Sequence, residues 1–264
     1  MLYLVATPIG NLKEITARAV ETLQNVDYIL CEDTRTSRVL LDAYNINKPL
    51  KSYHKFNESK ASVDVIEDLK NGKNIALISD AGMPGISDPG NILVNEIIKN
   101  DLEYTVVSGA SALINAFVMS GFEPPFTFVG FLPDNNTKCT KLLENLSSVD
   151  SCLIFYCSPH SILDDLQSMQ RILGDREICV VREISKKFEE KTFSTLSKGY
   201  NGTIKGEFVV VVNKPKNIKN TQNSLDEDLE ILLKMGISKT DASKVLAKAR
   251  GIKKNDVYKN AIEK

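Results

Sequence analysis

The chain has 264 residues, of which 42% are hydrophobic and 25% charged, with a formal net charge of −1. That length allows one large globular domain or two of moderate size, and the composition is that of an ordinary globular protein. The near-neutral balance excludes a global basic field, so nucleic acid would have to be held by a local patch.

Residues 2–6 form an apolar strand, and the loop Thr7-Pro8-Ile9-Gly10-Asn11 leads to a helix over about 16–24. This loop lacks the G-x-G-x-x-G of a dinucleotide site, and no Walker A sequence occurs anywhere. A second strand over 27–31 runs into Glu32-Asp33-Thr34-Arg35-Thr36-Ser37-Arg38, which is either a helix cap with a local ion-pair network or a polar rim facing substrate. A helix through 41–44 follows, then a short strand over 50–53. His54, at the end of that strand, precedes a helix from about Ser59 that Gly72 stops. The run 75–78 predicts a buried strand, followed by the small-residue loop S-D-A-G-M-P-G-I-S-D-P-G at 79–90. Asp88 suits an N-cap and Pro89 a first helical position, so a helix is expected over 90–99. A strand over 104–107 and a second small-residue turn, 108–112, lead to a helix ending near Gly121. Strands and helices therefore alternate through 2–120, which predicts a parallel sheet with helices on both faces.

The segment 121–125 breaks this pattern and marks a domain boundary. Strands are expected over 126–131, 151–157, 177–181 and 207–213, and helices over about 137–146 and from His160 to 173. The second domain is thus smaller, α/β or α+β, with antiparallel pairs. Residues 214–224 have linker composition. Helical periodicity resumes over 225–235 and 239–249, with a last helix over about 255–262. From Lys234 onward there are eight lysines and one arginine against three acids, a local net of +6. This basic helical extension, 225–264, reads either as a small nucleic-acid-binding module or as a solvated tail.

Apolar runs are strand-sized, far below the roughly 18 residues of a membrane span. Residues 1–9 have neither a charged n-region nor a cleavage site, so no signal peptide is expected. The five cysteines form no C-x-x-C pair and read as reduced thiols of a cytoplasmic protein. The two histidines, His54 and His160, are not spaced with cysteines as metal ligands are, so no metal is expected.

Several stretches resemble the tetrapyrrole methylase superfamily, the class III methyltransferases, and within it the enzymes that methylate ribosomal RNA. They are L-Y-L-V-A-T-P-I-G-N-L at 2–12, C-E-D-T-R-T-S at 31–37, H-K-F-N-E at 54–58, the loop at 79–90 and S-A-L-I at 111–114. G-F-L-P at 130–133, F-Y-C-S-P-H at 155–160, R-E-I-S-K-K-F-E-E at 182–190 and K-G-E-F-V-V-V-V at 205–212 continue the match, and I-K-K-N-D-V-Y-K at 252–259 resembles the family's terminal extension. Met83, Ser108, Cys157, Ser161 and the run 134–136 depart from the usual residues.

The resemblance implies two α/β domains, 1–120 and 121–215, with S-adenosylmethionine in the cleft between them, and a homodimer. It implies 2′-O-methylation of a cytidine in the decoding centre of 16S rRNA, in helix 44 near the P site, within the 30S subunit. A small-molecule methyltransferase acting on a tetrapyrrole precursor is the alternative. By motif match, Pro8, Gly10, Asp80, Gly82, Met83, Ser111, Ala112, Tyr156 and Phe208 contact the cofactor. Arg35, Arg38, Lys186, Lys187, Lys253 and Lys254 read as RNA phosphate contacts. A ribose hydroxyl needs a general base, and Asp33, His54, Glu58, Glu183 and Lys186 are the candidates, among which the sequence does not select.

Overall fold

The structure is a computed structural model that describes residues 1–216, 225–251 and 257. Residues 1–214 form one compact unit and residues 215–264 a second. The last predicted helix lies, but for Val257, outside the described residues.

The first unit carries two five-stranded sheets. In the first sheet β1 (Leu2–Val5), β2 (Tyr28–Cys31), β3 (Leu50–Ser52), β4 (Ile75–Leu77) and β5 (Tyr104–Val107) take the order β3-β2-β4-β1-β5. Every pairing is parallel. Short apolar strands buried on both faces are what such a sheet demands, and β2 and β4 are buried at every position. On one face, α3 (Glu58–Lys70) and α4 (Asn91–Lys99) bring Val65, Ile66, Leu69, Leu93 and Ile97 against Leu2, Leu30 and Leu77. On the other, α1 (Ala17–Asn25) and α2 (Thr34–Ala43) bring Ala19, Leu23 and Leu41 against Val5, Ile29 and Ala76. Each such leucine, isoleucine or valine side chain contributes about 1.5–3 kcal/mol by leaving water.

The second sheet has the order β6-β7-β10-β8-β9, from β6 (Phe126–Phe131), β7 (Cys152–Cys157), β8 (Glu177–Arg182), β9 (Glu190–Thr195) and β10 (Phe208–Val212). β6 and β7 are parallel and the other pairs antiparallel. Helices α6 (Asn136–Leu146) and α7 (Ile162–Leu173) cover one face through Leu143, Leu166 and Met169. The other face is covered by α5 (Ala112–Ser120), which follows the last strand of the first sheet, so Ala116 lies in one core with Ile154, Val181 and Val209. One helix therefore ties the two sheets together.

Three local expectations are corrected. β9 is a strand that the apolar runs do not mark: its sequence, E-K-T-F-S-T, alternates at an edge and buries no residue fully. Helix α2 begins at Thr34 rather than near Leu41, because the Asp33 side chain accepts a hydrogen bond from the Arg35 amide and caps it. Helix α4 begins at Asn91 with Gly90 as its N-cap, so Asp88 and Pro89 belong to the loop before it.

In the second unit, α8 (Leu225–Lys234) and α9 (Lys239–Arg250) enclose Leu229, Ala242, Leu246, Ala247 and Val257. Ser238 caps α9 by accepting from the Asp241 amide.

Candidate active site

The carboxyl ends of β1, β4 and β5 converge, as parallel strands in register must. The loops that follow are stitched together. The Thr7 amide donates to the Gly82 carbonyl at 2.8 Å, and the Gly82 amide donates back to Thr7 at 3.2 Å. The buried Thr7 hydroxyl donates to the Ser79 carbonyl at 3.2 Å. Gly109 sits so close to β1 that a Cβ there would lie 2.8 Å from the Ala6 methyl, so any larger residue would push the third loop away.

Against these loops stand the ends of the second sheet's strands, and a cavity of about 550 Å³ lies between. That volume is ample for a small-molecule ligand. One side is Asp80, Ala81, Gly82, Met83 and Ile86 to Asp88, and another is the run from Gly109 to Ile114 that opens α5. Phe131, Tyr156 to Pro159, Ile184 and Glu207 to Val209 complete it, with Ile9 beside them. Ser111 makes no side-chain cap on α5, so the first-turn amides of that helix are left to other acceptors. The Tyr156 ring meets Phe128 and Phe131 edge-on at 4.9 and 5.6 Å between centroids.

The polar groups are mostly acids. Burial pushes Asp80 up, and neighbouring Asp33 adds to this against the Asp33 amide that hydrogen-bonds Asp80 at 3.4 Å. Burial likewise raises Asp88, to about 6, with Glu32 and Asp80 adding to it. Burial and then Asp80 raise Glu32, which His54 opposes.

Of the residues expected to contact cofactor, Asp80, Gly82, Met83, Ser111, Ala112, Tyr156 and Phe208 line the cavity. Pro8 and Gly10 flank Ile9 but are not on its wall. Gly10 is instead covered by the Lys186 side chain, whose Cγ would lie 2.3 Å from a Cβ there. None of the five base candidates is on the wall. Asp33 is paired with Arg35 at 2.9 Å, which holds its carboxyl down at about 2. Glu58 opens α3, and the His54 Nδ1 is buried without a hydrogen-bond partner. Lys186 Nζ bridges Glu183 and Glu207 at 2.9 Å each. Arg38 is half-buried on α2, and Lys187 lies 5.6 Å from the exposed Phe188 ring. Lys253 and Lys254 lie outside the described residues.

Sequence reasoning missed the cavity role of Asp88 and Phe131. Asp88, followed by Pro89, reads in the sequence as a helix cap. The exposed aromatic at Phe131, ending an apolar strand just before Leu132-Pro133, was the available signal.

Residues 1–198 match the profile of the family described as Tetrapyrrole (Corrin/Porphyrin) Methylases. The ribosomal RNA small subunit methyltransferase I of Halalkalibacterium halodurans is 40% identical over 268 residues, covering 97% of this chain and 93% of that protein. The protein of the same name from Mycoplasmopsis pulmonis is 45% identical over 214 residues, 80% of this chain but 96% of its own length. Among solved structures, the methyltransferase CobJ superposes with a TM-score of 0.62 at 16% identity, covering 81% of this chain and 93% of that one. Uroporphyrin-III C-methyl transferase from Thermus thermophilus complexed with S-adenyl homocysteine gives 0.58 at 16% identity, covering 80% and 96%. At such identities the superpositions speak for the fold alone. With a family match over most of its length and relatives at this level of identity, the chain belongs to the tetrapyrrole methylases, in the group of the ribosomal RNA small subunit methyltransferase I proteins.

Proposed function

We propose that the chain is an S-adenosylmethionine-dependent methyltransferase acting on the ribose 2′-hydroxyl of a decoding-centre cytidine in 16S rRNA, within the 30S subunit of the cytoplasm. The observation that carries this reading is 40% identity over nearly the whole chain to a protein named for small-subunit rRNA methylation. The same reading takes 1–120 and 121–215 as its two domains and 225–264 as a basic extension.

The residues present fit the cofactor. Apolar Ile9, Leu113, Phe208 and Val209 suit an adenine face, the Asp80 carboxylate suits an ammonium, and the uncapped start of α5 suits a carboxylate. Bound there, S-adenosylmethionine supplies a methyl group on a sulfonium, already activated for in-line displacement. The chain then has to position and orient rather than activate the donor. The stitched loops after β1 and β4 give a rigid frame for that. Exposed Phe56, Phe131 and Phe188, with Lys55 and Lys187 beside two of them, suit an unstacked RNA segment, where aromatic faces take bases and lysines take phosphates. A homodimer is supported by apolar side chains left exposed on edge strand β5 (Tyr104, Val106) and on α5 (Ile114, Val118).

Mass-spectrometric mapping of 2′-O-methylation in 16S rRNA, with and without this gene, tests the reading. One decoding-centre cytidine is expected to lose its methyl. Methyl transfer to a porphyrinogen but not to 30S subunits would instead favour the small-molecule alternative. At the cofactor site, Asp80→Ala is expected to weaken S-adenosylmethionine binding by at least about tenfold in calorimetry; unchanged affinity would remove Asp80 from the site.

A further inference from the structure

The wall of the cavity holds a carboxylate with no assigned task. Asp88 lies in the loop between β4 and α4, and it does not cap α4, whose N-cap is Gly90. Its side chain is half-buried and makes no hydrogen bond or ion pair among the described residues. A half-buried carboxylate without a protein partner, beside other carboxylates on a cavity wall, is the kind of perturbed group that collects at functional sites. Two groups act on it from other parts of the fold, Glu32 after β2 and the Tyr156 phenol at the end of β7, and Asp80 acts on it from its own loop. No cation is among the groups acting on it. The loop that carries it also touches the second sheet, since the Ser87 hydroxyl lies 3.4 Å from where a Gly130 Cβ would be. Asp88 is thus fixed where strand ends from both sheets meet.

We propose that Asp88 is the general base that accepts the proton of the methyl-acceptor hydroxyl. This rests on the reading of the chain as a ribose 2′-O-methyltransferase. The balance is simple. The hydroxyl proton passes to the Asp88 carboxylate, the oxygen forms a bond to the methyl carbon, and the carbon–sulfur bond breaks with its electron pair going to sulfur. A neutral thioether, a methyl ether and a protonated Asp88 result. The surroundings tune the group for this. Burial and the neighbouring carboxylates raise Asp88 to about 6, close enough to neutrality for it to be ionised yet a stronger base than a free aspartate. The five candidates read from the sequence are all off the wall. Lys186 is also spoken for by Glu183 and Glu207, and Asp33 by Arg35.

The test is methyl transfer from labelled S-adenosylmethionine to 30S subunits, followed between about pH 5 and 8, for the wild type, Asp88→Asn and Asp88→Glu. In the wild type kcat is expected to fall as pH drops through a limb near 6 or below. Asp88→Asn should lose on the order of 100-fold or more in kcat together with that limb, with cofactor Kd by calorimetry unchanged within about twofold. Asp88→Glu, which keeps a carboxylate, should retain the limb and recover part of the rate. Carbon-detected NMR of the aspartate carboxyls supplies a readout independent of turnover: one resonance should titrate near 6 in the wild type and be missing in Asp88→Asn. An Asp88→Asn enzyme with wild-type kcat and pH profile overturns the proposal, as does one that loses rate only through lost cofactor binding. A wild type that transfers no methyl to 30S subunits overturns the functional reading, and the proposal with it.

Discussion

At the scale of single residues, the site is held in a state that costs stability. Asp88 is ionised at neutral pH in the folded chain only against burial and two like charges. Its folded pKa is raised to about 6, above the unfolded value of about 4. Its contribution to stability is therefore fully present below the unfolded pKa and lost as pH rises through about 6. Asp88→Asn should accordingly melt higher than wild type at neutral pH, by about 1 kcal/mol once solvent screening of a half-buried group is allowed for. That advantage should vanish near pH 4. Differential scanning calorimetry at the two pH values checks it. Lower activity with higher stability in one variant is the expected mark of a strained functional residue.

At the scale of elements, the connection from β8 to β9 acts as a strap across the loop after β1. Lys186 lies along Gly10, and its ammonium sits between Glu183 and Glu207. Burial alone would raise the Glu183 carboxyl, yet hydrogen bonds from Lys186 and from the Glu207 amide outweigh it and hold the group below its ordinary value. Lys186→Ala removes the ammonium from a carboxylate with 18% exposure and opens space over the loop. The expected loss is about 1–3 kcal/mol, read by urea denaturation. The Gly10–Lys186 contact joins two segments far apart in the chain, and periodicity speaks only for local partners. The same limit explains β9. Its polar alternation is satisfied by one covered face at a sheet edge, and only the pairing of Arg182 with Glu190 through to Glu177 with Thr195 makes it a strand.

At the scale of the whole molecule, the compact unit 1–214 has its own cores, and the unit 215–264 has another. A relative matched over 96% of its length aligns with only 80% of this chain, so family members exist without some part of it. A chain ending at Lys214 is expected to fold, to bind S-adenosylmethionine within about twofold of the full-length affinity, and to keep the oligomeric state of the full-length chain in light scattering. Its affinity for 30S subunits should fall and lose part of its salt dependence if the basic extension neutralises phosphates. A truncation that is unfolded, or whose oligomeric state differs from that of the full-length chain, would show that the extension completes the core or takes part in self-association.

The sequence by itself determined the parallel first sheet, because its strands are short apolar runs separated by helical periods and stopped by glycines. It also determined the loops at 79–90 and 108–112, since small residues at strand ends leave backbone open to a ligand. What it left undecided were the contacts made across distance. That α5 joins the core of the second sheet, that Lys186 closes over Gly10 and that Asp88 faces the cavity rather than capping α4 follow from tertiary packing. A helix cap and a base at a cavity wall are written with the same aspartate, and only the direction in which the folded loop turns its carboxylate separates them.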